Sequence, residues 1–160
     1  MPEDRPLALY HGRVRPEWID YNGHMNVAYY VLAFDHATDA LLDHIGLDAA
    51  TRAREQGSVF TLELHVSYLR ELMEDDPIRA EVRLLDHDEK RIHYFQELYH
   101  DGHDTLAATC EQILLYVDMN TRRGGTLPQT IRDMLTALQR RHQALPRPPQ
   151  VGSVIGIRRR

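Results

Sequence analysis

Cysteine is nearly absent: Cys110 is the only one in 160 residues. A single thiol closes no internal disulfide and supplies no cysteine-based zinc cluster. It stands inside an apolar run, so it reads as a small buried hydrophobe. Lysine is equally scarce, with Lys90 alone, and the arginines are scattered until the last three positions. With a formal net charge of -5, the chain lacks the basic face that a nucleic-acid binder presents. No apolar run approaches the ~20 residues of a membrane helix. The opening Met1-Pro2-Glu3-Asp4-Arg5 is polar and acidic, unlike a secretory signal, which makes the cytoplasm the expected compartment. None of the histidines falls in a His-Glu-x-x-His pattern, and no metal site is expected.

What is present is an ordinary globular composition, 42% hydrophobic and 27% charged, long enough for one domain with one core. Leu7 to Val14 reads as a short strand and Pro16 to Met25 as a loop, broken by Pro16, Asn22 and Gly23. Val27 to Ile45 is the clearest helix. Its apolar positions, Val27, Tyr30, Val31, Phe34, Leu41, Leu42 and Ile45, recur in threes and fours, with Asn26 as N-cap and Gly46 as stop. Four strands follow, at Phe60–Tyr68, Ile78–Leu84, Ile92–Tyr99 and Leu106–Val117, the last two joined by a turn at Asp101-Gly102. Strands in sequence with short links predict a largely antiparallel meander. A second helix opens at Pro128, with Ile131, Met134, Leu135, Leu138, His142 and Leu145 as its stripe. The expected class is α+β, with a domain over residues 1–145 and a proline-rich linker and basic tail over 146–160.

Chemistry concentrates where the loop Asp20-Tyr21-Asn22-Gly23-His24-Met25-Asn26 runs into the long helix. A helix N-terminus offers unpaired N–H groups and partial positive charge, so it can hold an oxyanion. A carboxylate just upstream, Asp20, completes the minimum equipment for acyl transfer. The same residue types also make a capping loop, and spacing alone does not separate the two readings. His24 fits either pocket or loop packing. Thr61, Glu63 and His65 recur every second residue of a predicted strand and so share a face, solvated or lining a pocket. His100 to Asp104 and Asp86 to Glu89 read as turns.

The segment Val14 to Tyr30 resembles the 4-hydroxybenzoyl-CoA thioesterase-like branch of the hotdog superfamily, whose Asp, Gly three residues on, and Tyr in the first helical turns match Asp20, Gly23 and Tyr30. The order of elements over roughly residues 7–145 matches too. The resemblance implies a hotdog fold, a long central helix wrapped by an antiparallel sheet of about five strands, with a C-terminal helix in addition. It implies an acyl-CoA thioesterase with Asp20 as nucleophile or general base and backbone N–H groups around Asn26 and Val27 as the oxyanion site. Gly23, His24, Tyr30, Thr61, Glu63 and His65 become candidate substrate contacts. Lys90, Arg91, Arg122 and Arg123 become candidates for the CoA phosphates, where the arginine fork suits phosphate oxygens. No cofactor is implied beyond CoA as part of the substrate. Hotdog subunits pair into one continuous sheet with sites at the seam, so a homodimer or tetramer is expected.

The sequence is also similar to thioesterase domains associated with bacterial carnitine dehydrogenases, through Arg15 to Asn26 and the end Val151 to Ile157. That implies a short acyl-CoA such as betainyl-CoA, whose quaternary ammonium would call for aromatic faces or a carboxylate, with Trp18, Tyr21, Tyr29 and Glu63 as candidates. Medium-chain and aromatic acyl-CoAs stay open. So do a non-catalytic acyl-CoA-binding module and a hotdog hydratase or dehydratase. The latter uses a different, His-containing dyad, and the Asp-x-x-Gly helix entry favours hydrolysis.

Overall fold

The computed structural model describes residues 4–160. Met1, Pro2 and Glu3, part of the N-terminal segment used above to assign a compartment, lie outside the described residues. In chain order the elements are β1 (Leu7–Arg13), a 3-10 turn (Pro16–Trp18), α1 (Val27–His44), α2 (Ala49–Glu55), β2 (Gly57–Tyr68), β3 (Pro77–His87), β4 (Arg91–His100), β5 (Thr105–Asp118), β6 (Arg123–Gly124) and α3 (Gln129–His142). The expected loop from Pro16 to Met25 therefore contains one short helical turn.

α1 begins as its cap dictates: the Asn26 side chain accepts from the Ala28 N–H, satisfying one orphan donor of the first turn. It ends at Gly46, whose φ of +89° is the left-handed stop that glycine adopts without a Cβ penalty. Tyr30, Ala33, Phe34, Ala37, Thr38, Leu41 and Leu42 are its buried residues. Val27, expected in that stripe, is 56% exposed, because it stands at the helix entrance.

All strand pairs are antiparallel, in the order β1-β3-β4-β5-β2, with β6 a short addition to β5. The meander expected from short links holds only for β3-β4-β5. β2 does not pair with β3; it crosses to the far side of β5 and becomes an edge. One face of the sheet, here the inner face, packs on α1: Tyr94 and Gln96 of β4 meet Thr38 of α1 through side-chain bonds of 2.7 and 2.9 Å. Cys110 is buried in this core, and desolvation pushes its thiol up to about 12, as its apolar surroundings require.

α3 closes the edge of β3 beyond the reach of β1, whose pairing with β3 ends at Leu7↔Val82. There the Leu84 N–H donates to His142 Nδ1 at 2.9 Å. Burial first, then nearby Arg141 and Arg83, lower the His142 pKa from 6.5 to about 4. The imidazole is thus kept neutral and able to accept. Between pH 6.5 and 4 the unfolded chain takes up a proton that the folded chain refuses, so stability falls as pH drops through that window. His142→Ala strands a buried N–H and is expected to cost about 1–3 kcal/mol at about pH 7. Urea unfolding should show the gap to wild type narrowing as the pH approaches about 4, because the variant has no such imidazole to protonate.

Candidate active site

The loop before α1 is a tight reversal. Ile19 and Met25 form a bridge, the Gly23 N–H donates to the Asp20 carbonyl at 3.0 Å, and the Asp20 N–H donates to the His24 carbonyl at 3.2 Å. Gly23 holds φ +80°, a backbone state that favours glycine. The Asn26 N–H bonds the Trp18 carbonyl, and the Met25 N–H bonds the Leu72 carbonyl, fixing the loop to its surroundings.

Within this turn Asp20 is oriented from two sides. Its Oδ1 accepts from the Asn22 N–H at 2.8 Å and its Oδ2 from Asn26 Nδ2 at 3.0 Å. Asn26 spends its other side-chain atom on the Ala28 N–H, so one side chain ties the carboxylate to the start of α1. The Asn22 N–H above all, then the Asn26 amide, hold the Asp20 carboxyl below the usual carboxylate value, with a smaller contribution from His24. Asp20 is therefore an ionised, partly exposed carboxylate at neutral pH. The Val27 N–H at the helix entrance has no acceptor among the described residues, leaving it available to a carbonyl oxygen with the helix dipole behind it.

Beside the entrance lies a groove of about 320 Å³ lined by His24, Met25, Val27, Tyr30, Tyr68, Leu69, Arg70 and Glu71. Nothing in the sequence singles out Leu69, Arg70 and Glu71. They follow a strand end, where the Leu69 and Arg70 N–H groups bond the Ala107 carbonyl, and Tyr30, far away along the chain, holds them as well. The Tyr30 hydroxyl donates to the Arg70 carbonyl at 3.2 Å and accepts from the Leu72 N–H at 3.0 Å. Its ring is buried, and burial raises its pKa above the ordinary tyrosine value. Tyr30 is expected from the sequence as a substrate contact; its polar end is engaged in holding the groove wall. Tyr30→Phe leaves the buried Leu72 N–H unpaired and is expected to cost about 1–3 kcal/mol in urea unfolding.

Thr61, Glu63 and His65 do not share a face. The β2–β5 register shifts between Thr61 and Glu63, which stand opposite Leu114 and Ile113, and adjacent strand residues point to opposite faces. Thr61 is on the inner face, accepting from Gln112 Nε2 at 3.0 Å. Glu63 and His65 are on the outer face, near His93 and Glu111. The proposed onium contacts do not converge either. Trp18 is buried and stacked on Tyr29, Tyr21 is 96% exposed, and Glu63 is on the far face.

The basic residues gather at the opposite end of the sheet. Arg91 stands opposite Leu115, and Leu115 opposite Phe60; the Arg122 guanidinium lies over the Phe60 ring at 5.5 Å. Lys90 lines a shallow cavity with Asp88, Glu89, Arg91 and Leu115, Arg91 is paired with Asp88, and Arg123 opens β6. From Phe60 to Tyr68 along β2 is roughly 26 Å at ~3.3 Å per residue, so these cations are remote from Asp20 of the same copy. Among the described residues no group of His, Cys, Asp and Glu is placed to hold a metal ion, and no helix is long and apolar enough to cross a membrane.

Comparison with known proteins agrees with this fold. Residues 14–150 match the family model of the thioesterase-like superfamily. A betainyl-CoA thioesterase of Pseudomonas aeruginosa is 42% identical over 94% of this chain and 95% of its own length. An L-carnitine dehydrogenase/betainyl-CoA thioesterase of Agrobacterium fabrum is 38% identical over 97% of this chain, which spans 31% of that longer protein. A Staphylococcus aureus protein solved in complex with CoA superimposes with a TM-score of 0.88 at 28% identity, over 96% of this chain and 97% of that one. The chain belongs to the thioesterase-like superfamily and is a hotdog-fold thioester hydrolase.

Proposed function

We propose that this chain hydrolyses a short, betaine-type acyl-CoA, betainyl-CoA foremost, to the free acid and CoA. The observation that carries the mechanism is the coupling of Asp20 to the start of α1 through Asn26. The thioester carbonyl oxygen sits on the Val27 N–H, where the helix N-terminus stabilises the charge that develops. Asp20 then either attacks the carbonyl carbon, giving an anhydride that water cleaves, or takes a proton from the attacking water. In both routes the thiolate of CoA leaves. The groove lined by Tyr68 and Glu71 receives the acyl group, with an aromatic face and a carboxylate suited to a cationic end. The names of the relatives support the choice of acyl group.

One copy holds half of the site. β2 is a long strand with an unpaired edge exposing Leu62, Leu64 and Tyr68, a template for another chain. We propose that a second copy adds its own β2, antiparallel, to form a continuous sheet. Antiparallel pairing places the Phe60 end of one β2 beside the Tyr68 end of the other. The cations around Lys90, Arg122 and Arg123 in the second copy are thereby brought toward this copy's Asp20, where they would meet the CoA phosphates. The family reading of Lys90, Arg91, Arg122 and Arg123 as phosphate ligands is thus kept, across the seam.

A CoA-release assay over betainyl-, acetyl-, medium-chain and 4-hydroxybenzoyl-CoA tests the substrate. Betainyl-CoA is expected to show the highest kcat/KM. Equal rates for acetyl- and betainyl-CoA would remove the onium from the account. Binding without release of any would favour the non-catalytic module.

A further inference from the structure

The path of the chain after α3 leads off the molecule in one direction. Arg83 of β3 donates from Nη1 to the Pro146 carbonyl at 2.5 Å. The Gly152 N–H donates to Glu111 Oε1 of β5 at 2.6 Å. Gly152 and Ser153 then share a cavity of about 330 Å³ with Glu63 and His65 of β2. Since the strands lie in the order β3-β4-β5-β2, the segment crosses the outer face strand by strand and reaches the free edge at Ser153. Up to that point Pro148, Gln150, Val151 and Ser153 are partly covered; every residue from Val154 to Arg160 is exposed. Val154, Ile155 and Ile157 are 83%, 87% and 83% exposed. Three large apolar side chains this open, within a few residues of one another, are unlike the scattered apolar residues of an ordinary surface.

We propose that residues 154–160 form an arm that crosses the β2 edge and packs on the outer face of a second copy of this chain. The inference rests on the reading that two β2 strands meet at that edge, and goes beyond it by naming what covers the outside of the seam. Two-fold symmetry makes the exchange reciprocal, each copy giving and receiving one arm. The receiving surface has matching chemistry. Ile113, opposite Glu63, puts an apolar side chain on the outer face beside the edge, away from the Phe60 ring that Arg122 covers. Glu63 has no ion-pair partner among the described residues, and offers opposite charge to Arg158, Arg159 and Arg160.

The arm leaves its own copy beyond Ser153, so its removal leaves the fold of one copy intact. The test uses the full-length chain carrying the photo-crosslinker p-benzoylphenylalanine in place of Ile155, together with a chain ending at Ser153. Expected results are a covalent dimer on a denaturing gel, with the crosslink mapping to β2 or β5, and a dimer dissociation constant raised at least ~10-fold in the shortened chain. A dimer whose crosslinks stay within one copy overturns the arm and leaves the seam standing. An unchanged dissociation constant with a several-fold higher KM for acyl-CoA overturns it too, since the arm would then serve the substrate. A full-length chain that sediments as a monomer removes both the arm and the seam.

Discussion

Leu64→Glu is expected to turn the proposed dimer into monomers and to lower kcat/KM at least ~100-fold, a loss of at least about 2.7 kcal/mol in transition-state stabilisation. Leu64 is on the inner face of β2, opposite Gln112, yet 42% exposed. α1 of its own copy does not cover it, and a second copy would. A carboxylate there is solvated in the single chain but would be desolvated in the proposed seam. Like charges also face each other across a two-fold axis. The loss of activity follows from the geometry: Asp20 is at the Tyr68 end of the sheet and the cations are at the Phe60 end, roughly 26 Å apart at ~3.3 Å per residue. The proposed antiparallel partner would bring them together. Sedimentation velocity and CoA-release kinetics on the same preparation check both halves. A monomeric variant of full activity would show the site to be complete in one copy.

Asp20→Asn is expected to lower kcat about 10³–10⁴-fold with KM within a few-fold of wild type. The two side chains are isosteric, and the amide oxygen of the variant can still accept from the Asn22 N–H. What is lost is the negative charge: a neutral amide neither attacks a thioester carbonyl nor takes a proton from water. Because backbone and amide donors hold the Asp20 carboxyl below its ordinary 3.8, the ionised form persists through the neutral range. It disappears only as pH falls through that depressed value. The acid limb of wild-type kcat/KM therefore lies below pH 3.8 wherever the fold survives. Asn26→Ala removes one of those donors and is expected to move the limb upward, as well as uncapping α1 at a cost of about 1 kcal/mol.

The parts of this molecule legible in its sequence are those governed by neighbours along the chain. α1 is readable because Asn26, the three-and-four spacing and Gly46 are all local. The turn at Gly23 and the burial of Cys110 are readable for the same reason. Long-range pairing is what escapes such a reading. Phe60, Leu62, Leu64, Val66 and Tyr68 alternate so regularly that they predict a single face, but the register slip around Leu62 divides them, and no glycine or proline marks it. Short links suggest that β2 pairs with β3, whereas β2 finds β5. α2 leaves little trace in the sequence because its seven residues carry no apolar stripe and none is buried; Asp48, which caps it through the Thr51 N–H, is its one local sign. The groove residues Leu69 to Glu71 are held by long-range bonds to Ala107 and Tyr30, which no spacing along the chain reveals. Asp20 is a special case: local physics reads it more readily as a residue of a capping loop, and the resemblance to a family is what makes it a catalytic candidate.

The most direct measurement sets binding against turnover on the same samples: calorimetric affinity for CoA and the rate of CoA release from betainyl-CoA, for wild type and Asp20→Asn. The expected result is affinity within about threefold and release slower by about 10³-fold or more in the variant. Release at the wild-type rate from Asp20→Asn, with betainyl-CoA bound and the dimer intact, would contradict the assignment of the reaction to the Asp20 carboxylate.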